Sequence, residues 1–177
     1  MRLALVAVAG LCVAATSPRA DLKVGDVVPD VSFKAYDGKE YSLSDFRANP
    51  DKKSEGQVVV VYFNSEKCPA QISSDIIKRV SDPWNDSKAG VKFLAFHAYG
   101  HDKEGRIKEF LAEKQFNFTS AWDTDKKLRD HFGAKQVNHT FVLDRNGKLV
   151  YRGGLVEFKR GGEVAKETVV DAVKAAK

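Results

Sequence analysis

The feature that most constrains the fold of this chain is the unbroken run of four valines, a tyrosine and a phenylalanine at residues 58–63. Six consecutive β-branched or aromatic residues predict a strand that is buried on both faces of a sheet. A second segment, Val-Lys-Phe-Leu-Ala-Phe at residues 91–96, predicts another central strand. A helix is predicted after each run, so we expect an α/β fold with a mixed sheet covered by helices on both faces.

The remaining pattern predicts the order of the other elements. An alternating segment at residues 31–35 and the turn at 36–39 predict an N-terminal β-hairpin that resumes at Tyr41. We expect helices at residues 69–80, at 103–115, around 128–132 and at 166–176, and strands at 140–143 and 149–152. A chain of 177 residues suits one globular domain, which we assign to residues 21–177.

The first twenty residues have the layout of a secretory signal peptide. Arg2 supplies a positive start, residues 3–15 are apolar or small, and a polar stretch follows. Cleavage is expected after Ala15 or Ala20, which would deliver the protein to a periplasmic or extracellular space. The alternative is an uncleaved N-terminal membrane anchor. No second apolar stretch is long enough to cross a bilayer, so no integral membrane domain is expected.

Signal removal would leave a single thiol. The chain has two cysteines, and Cys12 would depart with the signal peptide, leaving Cys68 without an internal disulfide partner. In an oxidising compartment such a thiol either pairs with another molecule or is kept for its reactivity. The alternative is a buried cysteine that acts as a small, inert hydrophobe.

The local sequence favours a reactive thiol. Cys68 follows the predicted central strand after a short loop, and Pro69 is a residue favoured at the first position of a helix. We therefore expect Cys68 at the N-terminal tip of a helix, where unpaired N–H groups and the helix dipole favour thiolate. Lys67 adds a neighbouring positive charge.

Neither a nucleic-acid partner nor a metal cofactor is expected from the sequence. The net charge of +5 comes from basic residues that alternate with acidic ones, so no nucleic-acid partner is expected. His97 and His101 have no apparent third ligand, so neither a metal nor another cofactor is expected.

The run through Pro69 resembles the active-site strand and loop of the thioredoxin superfamily. Similar segments at residues 24–33, 37–46, 122–133 and 140–148 point to its redoxin branch, the alkyl hydroperoxide reductase and thiol-specific antioxidant (AhpC/TSA) group with its exported thiol–disulfide oxidoreductase relatives. The resemblance implies a thioredoxin-like three-layer α/β/α sandwich with an N-terminal hairpin. It also implies an antioxidant or oxidoreductase activity in which Cys68 reduces protein disulfides or small peroxides.

Three departures from that family change what is expected. Gln71 stands where the Cys-x-x-Cys motif has its second cysteine, so an external thiol must resolve any mixed disulfide. Asn138 stands where the fold has a cis-proline, so we expect a trans bond and an altered substrate groove. In the peroxiredoxin motif Ser65 replaces a threonine, Val61 replaces a proline, and Asn138 falls at the arginine position.

Candidate site residues follow from the resemblance. Ser65, Lys67 and His139 are candidate partners of the Cys68 thiolate. His139 would act as a base or charge partner, or alternatively serve a structural role where its strand begins. Pro69, Gln71 and Asn138 are candidate substrate-binding residues. Three functions stay open: a single-cysteine thiol oxidoreductase, a redox-inactive binding or scaffold module, and a protein tethered to a partner through Cys68.

Overall fold

The computed structural model describes residues 22–65, 72–84, 87–99 and 103–177. The expected signal peptide, His101 and the segment that carries Lys67, Cys68, Pro69 and Gln71 lie outside the described residues. Within the described part, no helix combines the length and the apolar character needed to cross a bilayer.

The elements follow one another in the alternating order that the sequence predicts. The described strands are β1 (Ser32–Lys34), β2 (Glu40–Ser42), β3 (Val58–Asn64), β4 (Val91–His97), β5 (Thr119–Trp122), β6 (His139–Leu143), β7 (Leu149–Gly154), β8 (Glu157–Phe158) and β9 (Val164–Lys166). The described α-helices are α1 (Ser74–Ser81), α2 (Glu104–Glu113), α3 (Lys127–Phe132) and α4 (Thr168–Ala176).

The valine-rich run forms the centre of the main sheet. The described strands of this sheet lie in the order β5-β4-β3-β6-β7, with β3, β4 and β5 parallel and β6 and β7 antiparallel to their neighbours. Every residue of β3 is buried, as the prediction of a strand covered on both faces requires. The prediction of a mixed central sheet is therefore confirmed.

Alternate side chains of β3 enter two different cores. Phe63 packs with Phe96, Phe132 and Phe141 on the face that carries α3 and the β1–β2 hairpin. Tyr62 packs on the opposite face, where Ile77 of α1 and valines of α4 join the core. Because each face has its own apolar cluster, the predicted three-layer arrangement is confirmed.

The predicted N-terminal hairpin is present. Strands β1 and β2 pair antiparallel with Phe33 opposite Tyr41, and Gly38 in the turn has a φ of +83°. The hairpin joins the rest of the fold because the Tyr36 N–H donates to the Ser120 carbonyl of β5.

The helix after β3 begins later than the sequence predicts. Ile72 and Ser73 are not helical, and α1 begins at Ser74. Ser73 has ψ of 146°, and its hydroxyl accepts a hydrogen bond from the Ile76 N–H at 3.4 Å. The prediction of an unbroken helix from Pro69 is thus wrong, because Ser73 serves as an N-cap.

Two other elements were not predicted. Strand β5 contains little apolar sequence and forms by pairing with β4. Strands β8 and β9 form a small hairpin, so the last helix begins at Thr168 and not at Lys166. Both elements depend on partners that local periodicity does not reveal.

Candidate functional site

A cavity lies beside Ile72, the first described residue after Cys68. Strand β3 ends at Asn64, Ser65 follows it with 1% of its surface exposed, and the chain is described again from Ile72. Ile72 lines a cavity of about 420 Å³. The other lining residues are Gln136, Val137, Asn138, Gly154, Val156 and Phe158. The loop before β6 and the chain after β7 thus face the start of α1, as the fold predicts for a substrate groove.

Asn138 is anchored to the active-site strand. Its N–H donates to the Phe63 carbonyl at 2.8 Å, and its Oδ1 accepts a hydrogen bond from the Tyr62 hydroxyl at 2.7 Å. Its φ of +68° lies in the left-handed region, which asparagine tolerates better than most residues. No peptide bond among the described residues is cis, which confirms the trans bond expected before Asn138. The cavity wall at this point is therefore held by β3 without a proline.

The peroxiredoxin-like positions are placed as follows. Ser65 lies directly beyond the end of β3. Val61, at the motif's proline position, lies inside β3 between Leu94 and Phe141 and is fully buried. Its side chain belongs to the aromatic core on the α3 face, so it does not line the cavity beside Ile72.

His139 points to the other side of the sheet. Its ring lies 4.6 Å from the ring of Phe141, which belongs to the core on the α3 face, whereas α1 packs on the opposite face. The Arg152 Nε–H approaches its Nε2 at 3.4 Å, and the Lys135 N–H approaches its Nδ1 at 3.3 Å. A neutral imidazole can accept only one of these two donors at a time.

The charge state of His139 follows from these surroundings. Burial, followed by the positive charges of Arg152 and Lys135, lowers the pKa of His139 from 6.5 to about 4. The imidazole is therefore uncharged at neutral pH. This argues against a positive partner for a thiolate and favours the structural alternative.

The N-terminus of α1 is stabilised by the side chains of Ser73 and Asp75. Ser73 caps the helix, and Asp75 lies in its first turn. The first helical residue, Ser74, is six residues from Cys68 in the chain, so α1 does not provide the expected helix tip next to Cys68. Lys67, Pro69 and Gln71 lie outside the described residues, so their candidate roles stay predictions.

No metal centre emerges from the described part of the chain, where no three His, Cys, Asp or Glu side chains cluster suitably for an ion. His97 is fully buried where β4 ends.

A second cavity, of about 580 Å³, lies at the same edge of the sheet and was not predicted. Its walls include Lys34 of β1, Lys108 of α2 and Trp122 of β5. These residues are far apart in the sequence. Trp122 is the first residue of the family-like segment 122–133, and this was the one sequence signal near the cavity.

A central mixed sheet with helices on both faces and an N-terminal hairpin is a thioredoxin-like fold, and comparisons with known proteins agree. The chain belongs to the AhpC/TSA family, whose model matches residues 24–152. The resemblance inferred from residues 58–69 is therefore confirmed at the level of the family.

Curated relatives include plant peroxiredoxins. The chain is 29% identical over 156 residues to the chloroplastic peroxiredoxin Q of Suaeda salsa, covering 83% of this chain and 68% of that protein. It is 27% identical over 151 residues to the chloroplastic peroxiredoxin Q of Oryza sativa subsp. japonica, covering 80% and 64%. The chain thus spans about two thirds of the length of these relatives.

Solved structures support the fold. A crystal structure assigned as the thiol:disulfide interchange protein DsbE of Chlorobium tepidum has a TM-score of 0.66 at 25% identity, covering 88% of this chain and 98% of that one. An uncharacterized conserved protein from Geobacillus kaustophilus has a TM-score of 0.72 at 21% identity, covering 87% and 82%. In general terms, the family and these relatives place the chain among thiol oxidoreductases.

Proposed function

We propose that the protein is an exported thiol oxidoreductase that uses Cys68 as its single redox-active cysteine. It would reduce disulfides or small peroxides in a periplasmic or extracellular space, with an external thiol as reductant. The observation that carries the proposal is that Cys68 falls in the sequence between β3 and α1 of an AhpC/TSA chain. The similarity to a peroxiredoxin supports peroxides as substrates, and the similarity to the structure assigned as DsbE supports disulfides.

Chain connectivity limits how far Cys68 can lie from Ser65 and Ile72. Cys68 is three residues from Ser65 and four from Ile72, which limits its Cα to about 11 Å and about 14 Å from theirs. Ile72 and Asn138 line the cavity that a substrate would enter. The mostly apolar lining suits the carbon chain next to a disulfide or a hydroperoxide.

The chemistry requires one cysteine and two equivalents of external thiol. With a peroxide, the thiolate attacks the O–O bond, giving a sulfenic acid on Cys68 and releasing an alcohol or water after protonation. A first thiol condenses with the sulfenic acid, releasing water and leaving a mixed disulfide. A second thiol attacks that disulfide and restores the Cys68 thiolate. With a disulfide substrate, attack gives the mixed disulfide directly and releases one substrate thiolate.

The need for an external thiol follows from the sequence. Gln71 stands at the position of a resolving cysteine, and Cys12 belongs to the proposed signal peptide. The mature chain would therefore contain no second sulfur that could form an internal disulfide.

The test is the Cys68→Ser variant in thiol-dependent peroxide and disulfide reduction, with Ser65→Ala as a variant that keeps the thiol. Loss of turnover in Cys68→Ser, together with sulfenic acid trapping on Cys68 of the parent protein, is the expected result. Turnover that survives in Cys68→Ser would refute the proposal.

A redox-inactive binding module is the second candidate. The start of α1 at Ser74 favours it, because the described helix tip does not lie next to Cys68 in the sequence. This candidate expects iodoacetamide to alkylate Cys68 no faster than a model thiol at pH 7. Rapid labelling that persists at mildly acidic pH would instead show a thiol with a lowered pKa.

Export and tethering have separate tests. Sequencing of the secreted protein from its N-terminus should begin at Thr16 or Asp21, whereas an uncleaved anchor would leave Met1. A Cys68-dependent band of higher mass on a non-reducing gel would indicate that the thiol tethers a partner.

A further inference from the structure

The second cavity lies at the edge of the sheet where β3 ends. Strands β3, β4 and β5 are parallel, and their last residues Asn64, His97 and Trp122 are register partners across the sheet. Ligands of open α/β sheets bind at this carboxyl edge. Two strand spacings separate the backbone of Trp122 from that of Asn64, which is about 10 Å.

The walls of this cavity carry an unusual combination of groups. Lys34 is exposed and lies opposite Glu40 in the β1–β2 hairpin. Lys108 forms an exposed ion pair of 2.9 Å with Glu104, and its Nζ lies 5.6 Å over the ring of Tyr36. Trp122 presents one of the few exposed aromatic rings in the described part of the chain. Two ammonium groups, one carboxylate and an indole therefore face one space of about 580 Å³.

These groups match a specific ligand chemistry. The lysines can bind carboxylates, Glu104 can accept an ammonium group, and the indole can pack against a peptide-like chain. Exposed single ion pairs contribute little each, so a useful ligand must engage several of these groups at once. A zwitterionic peptide of two or three residues with two carboxylates satisfies this requirement.

We propose that this cavity binds the reductant of Cys68, a low-molecular-weight peptide thiol that carries carboxylate and ammonium groups. The inference rests on the proposed function, which requires an external thiol because residue 71 is glutamine. A tripeptide spans about 10 Å when extended, which matches the distance from Trp122 to the end of β3. Its sulfur would form the mixed disulfide with Cys68, and a second molecule would release it as a symmetrical disulfide.

Binding is tested without redox chemistry by titrating the mature protein with S-methylglutathione. Saturable quenching of tryptophan fluorescence is expected, with a dissociation constant on the order of 1 mM. The chain has two tryptophans, so the quench should disappear in Trp122→Phe. The double variant Lys34→Gln/Lys108→Gln should bind about tenfold more weakly. Lys174→Gln, an exposed lysine on α4, is the matched control and should bind like the parent.

Turnover supplies the second measurement. The ratio of the KM for glutathione to that for uncharged dithiothreitol should rise about tenfold in the double variant and stay constant in Lys174→Gln. Absence of turnover with glutathione, with dithiothreitol and with a protein dithiol would refute the proposed function, whereas the S-methylglutathione titration would still test binding in the cavity. Equal binding by the parent and the double variant, equal weakening in Lys174→Gln, or turnover with a protein dithiol only would overturn the inference.

Discussion

Lowering the pH should destabilise the protein through His139. Because its pKa is about 4 in the folded chain and 6.5 when free of its surroundings, the unfolded chain takes up a proton that the folded chain refuses. Its contribution to stability is therefore fully present above pH 6.5 and is lost progressively as the pH falls towards 4. The physical causes are burial first and then the positive charges of Arg152 and Lys135.

The size of the effect can be worked out between pH 7.5 and pH 5.0. Linkage between those two pKa values gives a loss of about 2 kcal/mol in the free energy of unfolding. The imidazole is only half-buried, so solvent screening reduces this to about 1 kcal/mol. Burial also lowers the pKa of His131, whose ring contacts the Pro29 carbonyl, and this adds a loss of the same sign. A variant is needed to separate the two histidines.

His139→Gln is that variant, since glutamine can still accept a hydrogen bond but does not titrate. Urea unfolding followed by circular dichroism at both pH values should show a loss about 1 kcal/mol smaller in His139→Gln than in the parent. An equal loss in both proteins would refute the reasoning. So would an NMR titration that gives His139 a pKa above 6.5, because that value would mark it as a charge partner for a thiolate.

Two further predictions concern contacts that hold the site. Tyr62→Phe and Asn138→Ala should each destabilise the fold, and their double-mutant cycle in urea should show a coupling of about 1 kcal/mol; additive effects would mean that their hydrogen bond contributes nothing. Asp123→Ala should cost about 2 kcal/mol in urea unfolding, because its carboxylate accepts the N–H groups of Leu128 at 2.9 Å and Arg129 at 2.7 Å. Asp125→Ala, which removes an exposed contact with the Lys127 N–H, should cost less than about 0.5 kcal/mol. Equal costs would contradict a stabilising role for the two hydrogen bonds that Asp123 accepts from α3.

The central sheet could be predicted because its signal is local. Residues 58–63 are apolar without interruption, and only a strand covered on both faces buries all of them. The N-terminal hairpin was equally accessible, since the turn chemistry at Gly38 sits between two short strands. The family could be inferred for a related reason, because its segments keep their order along the chain.

The site was harder to predict because its geometry depends on contacts between distant segments. The order of residues near Cys68 suggested a helix from Pro69, but Ser73 caps a helix that begins at Ser74. His139 is adjacent to Asn138 in sequence, yet strand alternation sends its ring to the other face. The sequence alone did not show which face the His139 side chain occupies, because a shift of one residue in register moves a strand's side chain to the opposite face of the sheet.

By itself the sequence determined the class of fold, the centre of the sheet and the presence of one cysteine beyond the proposed signal peptide. Those properties follow from composition and periodicity, which act over a few neighbouring residues. Only the tertiary structure decided that Tyr62 holds Asn138 on the cavity wall, that His139 is neutral, and that Lys34, Lys108 and Trp122 share one space. The physical reason is that each of these properties depends on groups that the chain brings together only after the strands have paired.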